Sequence, residues 1–138
     1  MTKRTNLFPS PAEARVEPDG SRDWNADFRA LLDGIDWKRY PAPYGRLRPR
    51  EEAWYGPVPY RFGNTTLPAR ALTPLLDQLR RRAEEVAGVE FNSVMCNLYS
   101  DGTENVPWHA DDEPIFGIDP VIASLSLGST RTFVPSLD

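Results

Sequence analysis

Fourteen prolines are spread over 138 residues, about twice the ordinary share, and they limit what can be regular in this chain. Proline donates no backbone hydrogen bond and clashes inside a helix, so it confines regular structure to the stretches between its positions. Most of these prolines lie outside the segments with helical or strand periodicity, so many loops and short strands are expected. Trp24, Phe28, Leu31, Leu32 and Ile35 recur at helical spacing and predict an amphipathic helix over Trp24–Asp36, with Pro41 and Pro43 ending it. A second helix has Thr73 as its cap and Pro74 in its first turn. Leu75, Leu76, Leu79, Ala83 and Val86 form its buried stripe, and Gly88 stops it. Between the helices, Trp54–Phe62 reads as extended, with Pro57 and Pro59 making it an edge or an irregular hairpin.

Strand patterns dominate the rest. Phe91–Tyr99 is one, Ser100-Asp101-Gly102 is a turn, Val106–Asp111 and Pro120–Leu127 are two more, and Thr132–Val134 begins a fourth. Residues 1–21 hold Pro9, Pro11, Pro18 and Gly20 with little apolar content, and read as a flexible tail ahead of a single domain over residues 22–138. Helices early and strands late predict an α+β fold.

Charge is uneven along the chain. Residues 1–37 carry five basic and seven acidic side chains, residues 38–82 ten and three, and residues 83–138 one and ten, giving local balances of −2, +7 and −9. A segment at +7 can meet a phosphate backbone, or it can be an ordinary solvated surface; charge alone favours the second. No run approaches the ~18 apolar residues of a spanning helix, and the N-terminus has no apolar core of a secretory signal. One cysteine, Cys96, excludes an internal disulfide and fits a reducing, cytoplasmic setting. One histidine and one cysteine cannot build a four-ligand structural zinc site.

The single histidine, His109, stands two residues before Asp111. On a strand, residues two apart share a face, so an imidazole nitrogen and a carboxylate oxygen converge. Such a pair is two thirds of the two-histidine, one-carboxylate triad of non-haem ferrous sites. It also arises by chance, as a histidine bonded to a nearby acid. Asn97 and Tyr99 are likewise two apart on the preceding strand, placing an amide and a phenol together either at a solvated strand end or beside a pocket for a small carboxylate.

These residues sit in NLYSDGTENVPWHADDE, followed by PVIASLSLGSTRTF, and the two stretches together resemble the AlkB family of iron(II)- and 2-oxoglutarate-dependent dioxygenases. Pro49-Arg50, Trp54-Tyr55-Gly56, Tyr60-Arg61-Phe62 and Phe91-Asn92 extend the likeness to the DNA-repair branch, covering roughly Arg46–Phe133. The resemblance implies a double-stranded β-helix (jelly-roll) dioxygenase core with N-terminal helices. It implies Fe(II) on His109 and Asp111, the catalytic pair, and 2-oxoglutarate on Asn97 and Tyr99. The alkylated base would meet Tyr60, Phe62 and Glu113, with Phe62 as a stacking face, while Arg50, with Arg46 and Arg48, would touch the nucleic-acid backbone or the gap left by a flipped base. Arg131 would lie near the pocket. The implied reaction turns 2-oxoglutarate into succinate and carbon dioxide and hydroxylates an N-alkyl group on a base in DNA or RNA, which then departs as an aldehyde. With that implication the +7 segment reads as a nucleic-acid contact.

Other family features are missing. The family has a second histidine ligand and C-terminal arginines, one pairing with the distal carboxylate of 2-oxoglutarate. Here 27 residues follow Asp111, none is histidine, and only Arg131 follows Arg82 among the arginines. The expectation is a jelly roll incomplete at its C-terminus, impaired in catalysis or stability. A complete chain would be a monomer without membrane contact; open strand edges in this one invite aggregation or completion by a partner. The rivals are a non-catalytic nucleic-acid-binding remnant of the same fold, and a dioxygenase acting on protein or a small molecule.

Overall fold

The computed structural model describes residues 2–5, 12–15, 20, 22–118 and 120–134. The elements in chain order are β1 (Thr2–Thr5), β2 (Ala12–Arg15), α1 (Trp24–Gly34), β3 (Glu51–Tyr55), β4 (Tyr60–Phe62), β5 (Thr65–Leu67), α2 (Pro74–Ala87), β6 (Val94–Leu98) and β7 (Val121–Ser124), with single 3-10 turns at Pro43–Gly45 and Pro114–Phe116. Helix and sheet are mixed, as the pattern predicts.

The best specified element is α2. The Thr73 hydroxyl accepts from the Leu76 N–H at 3.2 Å, and Pro74 fills the first turn, where no partner for its nitrogen is needed. Gly88, at φ +70°, takes the left-handed conformation that ends the helix and donates its N–H to Glu84. The buried stripe is Leu76, Leu79, Ala83 and Ala87; Leu75 and Val86, expected on it, are half-buried at its margins. Asp23 caps α1 by accepting from Ala26. That helix ends at Gly34, two residues earlier than expected and well before the prolines. Ile35 turns extended there, and the Trp37 indole donates to the Leu31 carbonyl, satisfying an end that the prolines need not terminate.

Among the described residues the strands form three small sheets. β3 pairs with β6 antiparallel, from Glu51 opposite Leu98 to Tyr55 opposite Val94. β4 and β5 form a hairpin around Gly63-Asn64; the expected hairpin over Trp54–Phe62 does not form, because β3 pairs with β6 and Pro57 and Pro59 lie in the connection from β3 to β4. β7 pairs with β1, which pairs with β2. Two strands therefore stand within the stretch read as a flexible tail; Pro9, Pro11 and Pro18, which supported that reading, lie outside the described residues.

β3 organises the interior because both its faces are covered. Ala53 and Tyr55 point into a cluster with Ile35 and Leu76, while Trp54 points into a second cluster with Tyr60 and Leu67, flanked by Tyr40, Phe62, Met95 and Phe116. Gly56 follows directly. A Cβ there would stand 2.5 Å from the Ser93 hydroxyl and 3.1 Å from the Trp54 ring, so a side chain would require Ser93 to shift.

Two expected strands are absent. Residues 106–111 and 132–134 pair with no strand among the described residues. Pro107 removes one ladder donor, and a strand is stable only as part of a ladder. The third, expected over Pro120–Leu127, is the shorter β7.

Candidate functional site

The site has two sides, carried by different parts of the chain. One side belongs to β3 and β4. Trp54 and Tyr60 stack at 4.7 Å between ring centroids, Tyr60 and Phe62 lie 6.3 Å apart, and Phe116 closes on Tyr60 from the 3-10 turn at 5.7 Å. The alternation of β4 sends Tyr60 inward and leaves Phe62 half-buried on the same face.

The other side is the segment after β6. The Tyr60 hydroxyl donates to Glu113 Oε1 at 3.1 Å, which joins the two sides. Burial first, and then the neighbouring carboxylates of Glu113 and Asp111, push the Tyr60 phenol far above its ordinary range, so it stays a donor. Glu113 Oε2 is buried with no hydrogen-bond partner among the described residues, an acceptor still free to meet an N–H. A groove of about 380 Å³ runs alongside, lined by Pro59, Arg61, Gly63, Glu113, Pro114 and Ile115.

His109 and Asp111 converge although their segment is not a strand: His109 Nε2 lies 3.3 Å from Asp111 Oδ1. The expected pairing holds, but its cause is different. His109 Nδ1 is 2.8 Å from the Pro107 carbonyl, and a carbonyl only accepts, so Nδ1 carries the hydrogen. That leaves Nε2 facing the carboxylate, either as a lone pair or as the proton donor of an imidazolium. The hydrogen bond with Asp111 is the main reason the histidine is held above its ordinary pKa.

A ferrous ion fits this pair. Two ligands on a divalent first-row ion, at ~2.1 Å each and roughly at right angles, lie about 3 Å apart, close to the separation seen here. The backbone carbonyl on Nδ1 is the outer contact that ligating histidines commonly use to fix their tautomer. Among the described residues no third histidine, cysteine or carboxylate joins them.

Asn97 lies on β6 and is exposed, whereas Tyr99 follows the last residue of that strand and is half-buried, so the shared strand face expected for them stops at Leu98. Burial raises the Tyr99 phenol, with Arg50 and Arg131 pulling the other way. The Arg131 guanidinium stacks 4.0 Å over the Tyr99 ring and donates to the carbonyls of Asp101 (3.0 Å) and Glu104. The Arg-x-Phe arginine therefore clasps the turn that leads to His109.

The arginines expected at a nucleic-acid backbone are largely engaged inside the protein. Arg50 is 3% exposed and Arg48 7%; both bond Glu52, itself 1% exposed. Arg48 Nη1 donates to Glu52 Oε2 at 3.0 Å, and Arg50 Nε to Oε1 at 3.1 Å. One buried carboxylate holds both cations away from the surface where a phosphate chain would meet them. Of the ten basic residues from Lys38 to Arg82, eight are ion-paired, mostly with acids of the same region or of α2. Arg46 and Arg61 are exposed and make no ion pair among the described residues. The local balance of +7 thus overstates the free positive surface.

Glu52 and Glu104 are the residues that the sequence reading passed over. Glu104 bonds Arg39 at 2.5 Å and accepts from the Ser100 N–H at 2.7 Å. Arg48-x-Arg50-x-Glu52, three charges at strand alternation leading into a buried aromatic pair, was the available signal.

The family model for the 2OG-Fe(II) oxygenase superfamily matches residues 21–135. The chain is similar to the alpha-ketoglutarate-dependent dioxygenase alkB homolog 3 of Rattus norvegicus, at 51% identity over 80% of this chain and 38% of the relative. It is 49% identical to the Homo sapiens protein of the same name, over 94% of this chain and 44% of the relative. The DNA oxidative demethylase ALKBH2 of Bos taurus is 39% identical over 62% of this chain and 32% of its own length. The chain thus spans less than half the length of these relatives.

Proposed function

Because the chain belongs to the AlkB family of the 2OG-Fe(II) oxygenase superfamily, which uses Fe(II) and 2-oxoglutarate, we propose that it carries the base-binding side and two of the iron ligands of an oxidative nucleic-acid dealkylase. The observation that carries this reading is His109 Nε2 beside Asp111 Oδ1, with the imidazole hydrogen fixed on Nδ1 by Pro107. In this reading His109 and Asp111 hold the iron, and Asn97 and Tyr99 contact 2-oxoglutarate. When bound, iron and 2-oxoglutarate supply the dioxygen-dependent oxidation of an N-alkyl carbon. Phe62 stacks on the base, and the Glu113 oxygen left without a partner accepts from its edge. Residues 22–138 form part of a jelly-roll domain in the same reading.

Substrate is proposed as N-alkylated DNA, in line with the relatives named DNA oxidative demethylase. Cys96 takes no part: burial pushes its thiol up to about 12, which suits an inert side chain in a reducing, cytoplasmic setting. Among the described residues no helix is long and apolar enough to cross a membrane.

Two protein ligands hold a ferrous ion far less firmly than three, so the chain as given is expected to turn over slowly. The test mixes it with Fe(II), 2-oxoglutarate, ascorbate and an N-methylated oligodeoxynucleotide, and follows succinate and formaldehyde. Slow, iron-dependent release of both, lost in Asp111→Ala, supports the reading. Salt-sensitive binding of the strand with no iron-dependent chemistry, even at saturating iron, favours the non-catalytic remnant instead.

A further inference from the structure

We propose that Arg48, locked by Glu52, is a positioning residue that fixes the Phe62 ring and so sets the plane on which the site holds a base. This rests on the reading of Phe62 as the stacking face.

Three restraints meet on that one ring. The Arg48 guanidinium stacks 4.4 Å over its face. The same side chain donates through Nη2 to the Phe62 carbonyl at 3.1 Å, so it holds the backbone of the residue as well as the ring. Arg50 approaches the ring at 5.9 Å from the other arm of the Glu52 clasp. Arg48 cannot drift, because its own main chain is pinned twice. Its N–H donates to the Tyr40 carbonyl at 2.9 Å, and its carbonyl accepts from Arg39 Nη1 at 2.9 Å. Tyr40 lies on the guanidinium at 6.0 Å. Phe62 nevertheless keeps part of its surface exposed.

Packing alone does not account for the arrangement. Two buried arginines on one buried carboxylate cost solvation, and apolar side chains of the same volume commonly stabilise a core as well or better. A planar cation does something an apolar residue cannot. It fixes ring tilt through a directional stack and a hydrogen bond to the same residue. Binding to a planar base depends on that tilt, because stacking falls away when the faces are not parallel.

The experiment uses the whole chain and a short single-stranded oligodeoxynucleotide carrying one N-methylated adenine, with the unmethylated strand as comparison. Affinity is measured for the unaltered chain, for Arg48→Lys, for Phe62→Leu and for the two together. Lysine keeps the charge but loses the plane and the fork. The expected result is a loss of about fivefold or more in each single variant, and a double variant no weaker than the weaker single one. Thr73→Ala, which loosens α2 far from this ring, is the control for loss of stability and leaves affinity unchanged. Nuclear magnetic resonance supplies a second readout: the Arg48 side-chain protons are shifted upfield by the ring beneath them and return to ordinary positions in Phe62→Leu. Native affinity in Arg48→Lys, or losses that simply add, overturns the proposal. Should the unaltered chain bind neither strand, the base-binding reading fails and the resonance decides alone. An upfield-shifted Arg48 keeps the positioning unit, and an unshifted one removes it.

Discussion

Every buried apolar residue among those described lies between Ile35 and Ala87, and none lies from Tyr99 onward. The aromatic side of the site, proposed to face the base, is therefore built into the core, where Trp54, Tyr60 and Leu67 pack together. The segment with His109 and Asp111 is instead held to that core mainly by polar contacts, with Phe116 on Tyr60 as an aromatic anchor. The polar contacts are the Asn105 N–H on the Pro49 carbonyl, Arg50 on the Asn105 carbonyl, Arg39 on Glu104 and Tyr60 on Glu113. Apolar burial gains free energy roughly with area, whereas each exposed hydrogen bond or ion pair contributes about 1 kcal/mol or less. The difference teaches that the side proposed for base recognition is preorganised in this chain, while the pair proposed to hold iron sits where few contacts oppose opening.

The sharpest break in that contrast is Glu52→Ala. It strands two buried guanidinium groups and is expected to cost about 3–5 kcal/mol, enough to remove much of the stability of a small domain. Urea denaturation followed by tryptophan fluorescence measures it. A cost under 1 kcal/mol would mean that water reaches Arg48 and Arg50, and that the two sides of the site are not so different.

Next come paired truncations. Leu67→Ala, at a side chain 1% exposed within the core, is expected to cost roughly 2–5 kcal/mol, while Ile118→Ala, 95% exposed beyond His109 and Asp111, stays within about 0.5 kcal/mol. Equal effects would erase the division. The side proposed to hold iron has its own variant. Asp111→Asn is expected to leave stability within about 0.5 kcal/mol of the unaltered chain, because His109 and Asp111 are both partly exposed. It should abolish the binding of Mn(II), a spectroscopic substitute for Fe(II), seen by electron paramagnetic resonance. Retained Mn(II) binding would move the metal site elsewhere.

What was legible in the sequence follows the same division. α2 could be read almost residue by residue, because Thr73, Pro74 and Gly88 act locally on the backbone next to them. The meeting of His109 with Asp111 was legible too, but through a motif whose assumed strand is absent; Pro107 both breaks the ladder and holds the imidazole. The pairing of β1 with β7 joins segments more than a hundred residues apart, and no local pattern announces it. Arg48 and Arg50 were misplaced because charge in a sequence suggests surface. Whether two arginines are buried depends on one partner, Glu52, and on aromatic rings that arrive from β4. Composition fixed the +7 of the middle segment, but not that eight of its ten cations already have partners.

The smallest effect sharpens the comparison most finely, because it acts on one tether alone. Glu104 is held below the ordinary carboxylate range, first by the Ser100 N–H and then by Arg39. Its folded pKa is thus lower than its unfolded one, so the stability it contributes is full above the unfolded value. That contribution fades as pH falls through the folded value. Ordinary glutamates protonate near pH ~4.3, and the 100–104 turn should remain protected somewhat below that before it opens. Amide hydrogen exchange read residue by residue across a pH series, corrected for the intrinsic rate, measures this. Protection of Ser100, whose N–H bonds Glu104, should fall at acidic pH while the amides of β3 and β6 keep theirs. In Glu104→Gln the acid-induced fall at Ser100 should disappear, because its acceptor no longer titrates. Loss of protection in turn and sheet at the same pH would show that the suspended segment and the core open as one unit.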